Sequence, residues 1–154
     1  MNGYEIFKFL HVLGAVVWVG AGAGLFLLSV RLRADGQQAT IVALGRQSEA
    51  LGKLLFMPAA LGTLLFGVLM VVTEARFAFT DLWILLGFAA VAASFVVGAL
   101  LLGPADKKLT EVATELGVKH GDVDRQLAKV LRLNAIDVGI LVVAIWAMVA
   151  KPML

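Results

Sequence analysis

The sequence predicts an all-α fold, an integral membrane four-helix bundle with helical cytoplasmic extensions. Of its 154 residues, 61% are hydrophobic and only 16% are charged, which is more apolar than a water-soluble domain. Four apolar runs are each long enough to cross a bilayer, which takes about 20 helical residues. These runs lack the alternation of a transmembrane β-strand, so helices must satisfy the backbone in lipid.

A single transmembrane domain is expected to occupy the whole chain, residues 1–154. Its predicted parts are spans at roughly 5–30, 54–72, 82–102 and 133–150, with cytoplasmic connections at 31–53 and 103–132.

Basic residues decide the predicted orientation. Only Lys8, Arg76 and Lys151 lie outside the two long connections, which hold the other ten of the 13 Lys and Arg. The positive-inside rule therefore predicts cytoplasmic connections and both termini outside. The ten are Arg31, Arg33, Arg46, Lys53, Lys107, Lys108, Lys119, Arg125, Lys129 and Arg132.

Both connections carry helical patterns. Apolar residues recur at helical spacing over 41–51, which predicts that the second span extends into the cytoplasm. Pro104 suits the first turn of a helix that Gly117 ends, and Asp122 is expected to cap a further helix leading into the fourth span. Inside the second span, Pro58 predicts a kink.

The stretch F-L-H-V-L-G-A-V-V-W-V-G places His11 inside the first span. It lies six residues after Glu5, hence about 9 Å deep at a rise of 1.5 Å per residue. Gly14, Ala15 and Trp18 share its face, so the imidazole is expected to point into protein. An ionisable residue there is a functional hypothesis, and a histidine bonded to a neighbouring span is the alternative.

Two methionines are expected at the depth of His11. Met70 lies near the outer end of the second span and Met148 near the outer end of the fourth. One imidazole with thioethers would suit Cu(I) or a haem iron, and Trp18 could face a planar ligand. The alternative is that both methionines only fill gaps in the core.

A second polar pair lies in the fourth span, where Asn134 and Asp137 are one turn apart. Asp137 is about 6 Å inside the cytoplasmic boundary, at the opposite end from His11. A proton path between them would need water or a cofactor. The alternative is a local bond, with candidate partners Thr63, Ser94, Arg132 or a backbone group.

Several function classes are excluded by composition. The chain has no cysteine, its net charge is only +2, and it carries no hydrolytic, phosphate-binding or zinc motif. Nucleic-acid binding is not expected, because the two signs of charge share the same loops. The two histidines, His11 and His120, fall on opposite sides of the membrane, which excludes bis-histidine ligation within one chain.

Small residues predict close helix contacts. Gly20 and Gly24 form a G-x-x-x-G on a different face of the first span from His11, and other spans carry similar patterns. The lipid bilayer is the expected environment. A compact bundle, a homo-oligomer or a subunit of a membrane complex is the expected state.

Three stretches resemble a set of small bacterial membrane proteins: the one around His11, L-L-F-M-P-A-A-L-G-T-L-L-F-G, and L-R-L-N-A-I-D-V-G-I-L-V-V-A-I-W-A-M-V-A-K-P. That set contains copper-resistance D-like proteins, the small protoporphyrinogen oxidase family and an uncharacterised group of predicted integral membrane proteins. The resemblance implies four helices and, for the oxidase branch, haem b or porphyrin contact by His11. Trp83 is present, but the lysine and histidine of the oxidase pattern in span three are not, so the uncharacterised group is the closer match.

The leading hypothesis is a protein of the bacterial inner membrane that binds haem b or a related tetrapyrrole near its outer side, in electron transfer or porphyrin handling. His11, Trp18 and Met148 are the predicted cofactor contacts. The alternatives are copper binding or transport by His11, Met70 and Met148, and a structural or accessory subunit without a cofactor. Whether the protein is an enzyme is left open.

Overall fold

The computed structural model describes residues 2–152, without the side chains of residues 48 and 49, and all regular structure in that range is helical. Two π-helical segments, Gly52–Phe56 and Val96–Leu102, continue directly into the α-helices that follow them. The α-helices are α1 (Gly3–Ala34), α2 (Gln38–Arg46), α3 (Ser48–Leu51), α4 (Met57–Thr73), α5 (Leu82–Phe95), α6 (Gly103–Leu116) and α7 (Gly121–Ala150).

Four continuous helices are long and apolar enough to cross a membrane: α1, Gly52–Thr73, Leu82–Leu116 and α7. The predicted four-helix membrane fold is therefore confirmed. Each helix is longer than the predicted span, and the third continues through the whole of α6. Asn2 and Glu5 start α1 with a reciprocal capping box, in which each side chain accepts a hydrogen bond from the other's backbone N–H.

Three details of the connections differ from the predictions. The helical pattern at 41–51 is interrupted, because α2 ends at Arg46 and Gln47 forms a turn. Pro104 lies in the first turn of α6, but the chain before it stays helical. His120, and not Asp122, caps α7, because its backbone is extended and its Nδ1 accepts the N–H of Asp122 at 3.2 Å.

The prolines explain the two π-helical segments. Pro58 and Pro104 each lie two residues after the end of one. Proline has no N–H to donate, and its ring collides with the carbonyl four residues earlier in a regular α-helix. A wider π-helical turn moves that carbonyl aside, so both helices pass through their prolines without a break.

The helices pack as two pairs, α1 with α4 and α5 with α7, and the pairs meet mainly through α1 and α7. The larger buried cluster lies where α2, α6 and the first half of α7 meet, an end called here the connection end, and includes the fully buried Leu109 and Val123. A smaller cluster around Trp18, Ala59 and Leu141 lies within the spans. Along their whole length, α4 and α5 scarcely touch.

Candidate functional site

The space between the two helix pairs is a cavity of about 550 Å³. Residues of α1, α4, α5 and α7 line it, and nearly all of them are apolar. Only His11 and Thr63 bring strongly polar side-chain atoms to its wall. The volume falls within the roughly 300–1,000 Å³ of small-molecule and cofactor sites.

Trp18 closes the deep end of the cavity. It is 8% exposed and packs with Ala59 and Leu141, which joins α1 to α4 and α7 at this level. The exposed lining residues lie on α1 and α7, where Val16 is 62% and Val149 80% exposed. The cavity therefore opens sideways between α1 and α7, toward the surface that faces lipid.

The His11 ring is held by a hydrogen bond to α4. Its Nδ1 lies 2.7 Å from the carbonyl oxygen of Thr63, whose own Oγ1 donates to the carbonyl of Ala59 at 2.8 Å. Gly14 makes this approach possible. A Cβ there would lie 2.6 Å from Thr63 Oγ1 and 3.1 Å from the Ala59 carbonyl oxygen.

The hydrogen bond fixes which ring nitrogen of His11 carries a proton. A carbonyl oxygen only accepts, so Nδ1 is the donor, and in the neutral ring Nε2 keeps its lone pair. Nε2 has no protein partner within residues 2–152, and no polar side-chain atom of that range is both buried and unpartnered. Since His11 lines the cavity, we assign the Nε2 lone pair to the cavity space.

Glycine also makes room for the ring and for a methionine. A Cβ at Gly67 would lie 3.0 Å from His11 Nδ1 and 3.1 Å from its Cε1, so the imidazole lies directly against the α4 backbone. On the other side of the cavity, the methyl group of Met148 occupies the space where a side chain at Gly87 would be.

The cavity brings together four of the residues singled out in the sequence: His11, Trp18, Met70 and Met148. Coordination of a metal by them stays a prediction. Among the described residues, no three of the His, Asp and Glu side chains come close enough to hold a metal ion.

Asp137 and Asn134 do not belong to this cavity. The Asp137 carboxylate accepts a hydrogen bond of 2.5 Å from Ser94 Oγ, one of its predicted local partners, and Ser94 is buried. Neither Asp137 nor Asn134 lines the cavity. The proton path between Asp137 and His11 stays a prediction.

Aromatic residues line the cavity at the end of the bundle where both termini lie, an end of the cavity called here its mouth. Phe77 and Trp83 both line the cavity and meet edge to face, with ring centroids 5.1 Å apart. Tyr4 extends the group, 6.3 Å from Phe77. Phe77 is not among the residues predicted for the site, because its short loop has no periodic pattern to indicate a face.

The three basic residues outside the connections all stack on this aromatic group. The ammonium of Lys151 lies 5.0 Å from the Phe77 centroid and 5.1 Å from that of Trp83, the Arg76 guanidinium lies 5.4 Å from Phe77, and Lys8 lies 5.5 Å from Tyr4. Three cations thus lie on the aromatic group at the mouth, and one of them, Arg76, also pairs with Glu74 at 3.1 Å.

Fold and cavity together define a class: a four-helix integral membrane protein with a largely apolar cavity between two helix pairs. Residues 5–152 match the family described as "Predicted integral membrane protein (DUF2269)", and the chain belongs to that family. The comparisons with curated proteins and with solved structures found no match. The predicted uncharacterised group is thereby confirmed, while the wider resemblance to copper-resistance D-like proteins and the small protoporphyrinogen oxidase family stays a prediction.

Proposed function

We propose that the cavity binds haem b or a related tetrapyrrole, that His11 Nε2 would hold its iron, and that the protein serves electron transfer or porphyrin handling. One observation carries the proposal: Nδ1 of His11 donates to the Thr63 carbonyl at 2.7 Å, which leaves Nε2 for a ligand in the cavity. Metal-ligating histidines commonly donate their other ring N–H in this way.

The other lining residues suit a planar apolar macrocycle. Trp18 offers an aromatic surface at the deep end, and Met148, whose thioether is a known axial ligand type, lines the side formed by α5 and α7. The sideways opening between α1 and α7 would admit a ligand from lipid. When bound, haem supplies one-electron chemistry. The residues of the chain orient the ligand and keep its surroundings apolar.

An absorption spectrum tests this proposal. Protein purified in mild detergent from haem-replete cells is expected to show a Soret band and visible bands that shift on reduction. His11→Ala should abolish the Soret band, while His120→Ala, which removes an exposed histidine of the α7 cap, should leave it unchanged. A near-stoichiometric Soret band in His11→Ala would refute His11 as the ligand.

Copper(I) is the second candidate, favoured by Met70 and Met148 lining the same cavity as His11. Under this alternative, Met70→Leu and Met148→Leu should each weaken Cu(I) binding, measured by competition with a coloured chelator. Met57→Leu is the matched control, because Met57 is 54% exposed and does not line the cavity. Full retention of affinity in both cavity variants would refute the copper site.

We also propose that the protein lies in the bacterial inner membrane with the cavity mouth and both termini outside. The ten-to-three distribution of basic residues supports this orientation. The chain has no cysteine, so single cysteines can report the side directly. Ala78→Cys in intact cells should react with a membrane-impermeant maleimide and Ala39→Cys should not, and the reverse labelling would invert the orientation.

Assembly with a second copy or a partner subunit is the remaining proposal. A Cβ at Gly24 would meet no atom within 4 Å, so α1 is open to contact from outside the chain at this residue, whereas Gly20 of the same G-x-x-x-G lines the cavity. Gly24→Leu is expected to lower the oligomeric mass in detergent, measured by light scattering. An unchanged mass would refute this face as the interface.

A further inference from the structure

Lys151 occupies an unusual place at the mouth of the cavity. It ends α7, donates its backbone N–H to the carbonyl of Ala147 at 2.9 Å, and extends its ammonium over the rings of Phe77 and Trp83. Both rings line the cavity. The ammonium of Lys151 therefore lies beside two side chains of the cavity wall.

The backbone of Lys151 is strained to reach this position. Its φ of 44° and ψ of 57° lie in the left-handed region, and no other non-glycine residue among those described has a positive φ. Left-handed backbone is unfavourable for a side chain with a Cβ, and the following Pro152 restricts this residue further. Glycine would relieve the strain but would place no cation at the mouth. Many helices end with a left-handed residue, usually glycine or asparagine, and at the end of α7 a lysine takes that place.

No carboxylate of residues 2–152 forms an ion pair with Lys151. The two acidic residues between α4 and α5 have other partners. Glu74 pairs with Arg76 at 3.1 Å, and the Asp81 carboxylate accepts a hydrogen bond from the N–H of Ala78 at 3.1 Å. The aromatic faces stabilise the ammonium but leave its N–H groups able to donate to an anion. Lys151 is exposed, and its ammonium lies over two rings that line the cavity with no carboxylate of residues 2–152 paired to it. A cation in this position favours an anionic ligand.

We infer that Lys151 binds a carboxylate of the cavity ligand, so that the site selects an amphiphile with an apolar body and an acidic edge. This inference rests on the proposed function, because it takes the ligand to be a tetrapyrrole seated in the cavity. The body lies among the apolar side chains, and the carboxylate lies at the mouth. The inference excludes a neutral macrocycle as the preferred ligand.

The test compares two probes on the full chain in detergent: haem b and its dimethyl ester, which keeps the ring and iron but carries no acid. Dissociation constants are read from the Soret band during titration. Lys151→Gln is expected to weaken haem b binding by up to about five-fold, the upper end of the effect of losing one exposed ion pair, and to leave ester binding unchanged. Lys151→Arg should retain most of the affinity. Lys119→Gln, an exposed lysine in the loop before α7, is the control.

The outcomes separate the two proposals. Equal dissociation constants for haem b in wild type and Lys151→Gln would overturn the role of Lys151 and leave the haem site intact. Equal weakening of both probes would show that Lys151 acts by shaping the mouth and not by charge, which also overturns the inference. Failure of wild type to bind either probe would overturn the proposed function and this inference with it.

Discussion

Replacing Gly14 with alanine adds a single methyl group at the contact between α1 and α4, and the structure predicts the effect of this change on stability. A Cβ at this position would lie 2.6 Å from Thr63 Oγ1, 3.1 Å from the Ala59 carbonyl oxygen and 3.2 Å from the Thr63 nitrogen. The hydroxyl can rotate away, but two of the three atoms belong to the α4 backbone. In Gly14→Ala, α1 must therefore move off α4 by a few tenths of an ångström.

Two costs follow from that displacement. Overpacking of this kind costs about 1–3 kcal/mol. If Thr63 Oγ1 also loses its bond to the Ala59 carbonyl, about 1 kcal/mol more is lost. For a chain of this size each kcal/mol corresponds to roughly 2–4 °C in Tm, so Gly14→Ala is expected to lower Tm by several degrees.

The assay is thermal unfolding in detergent, with Gly62→Ala as the matched control. Gly62 lies in α4, and a Cβ there would meet no atom within 4 Å, so alanine should be neutral or stabilising through its helix propensity. Gly14→Ala should also weaken haem binding, because His11 reaches Thr63 across the same contact. A Tm for Gly14→Ala equal to that of Gly62→Ala would refute the reasoning.

Three further substitutions probe the connection end, the cavity and the polar pair. Leu109→Ala should destabilise the protein by about 2–5 kcal/mol in chemical unfolding, because Leu109 is fully buried, whereas Leu116→Ala at a half-exposed position should have little effect. Trp18→Ala should enlarge the cavity at its deep end and broaden or shift the Soret band while the protein still folds, and an unaltered band would contradict contact with the ligand. Ser94→Ala should lower Tm by removing the donor to Asp137 but leave haem affinity unchanged, and a parallel loss of affinity would show that the two sites are coupled.

Much of the fold follows from the sequence, because hydropathy and helical periodicity are local signals. The four apolar runs identify the four helices. His11, Gly14 and Trp18, which their spacing places on one face, all lie against α4. Helix ends are less well predicted. Pro104 is a typical start of a separate helix, but a π-helical turn lets the third helix continue to Leu116.

Only some residues of the candidate site can be predicted from the sequence. The faces of Met70 and Met148 indicate that both could reach the cavity of His11, and both line it. The stacking of Lys151 on Phe77 has no signal in the sequence, because it joins a short loop to the end of α7 across more than 70 residues. Likewise, Ser94 is one of several candidate partners of Asp137, and only the packing of α5 on α7 selects it.

The uneven packing of the bundle has a consequence for how a ligand could exchange. Most of the buried apolar side chains lie at the connection end, around Leu109 and Val123, while the termini end holds the cavity. The two helix pairs are also joined by few contacts between α4 and α5. Local opening should therefore separate the two helix pairs near the mouth without global unfolding. A ligand that binds only the closed arrangement should stabilise the part of the protein that opens most easily. The stability of the protein would then rise with the concentration of the ligand.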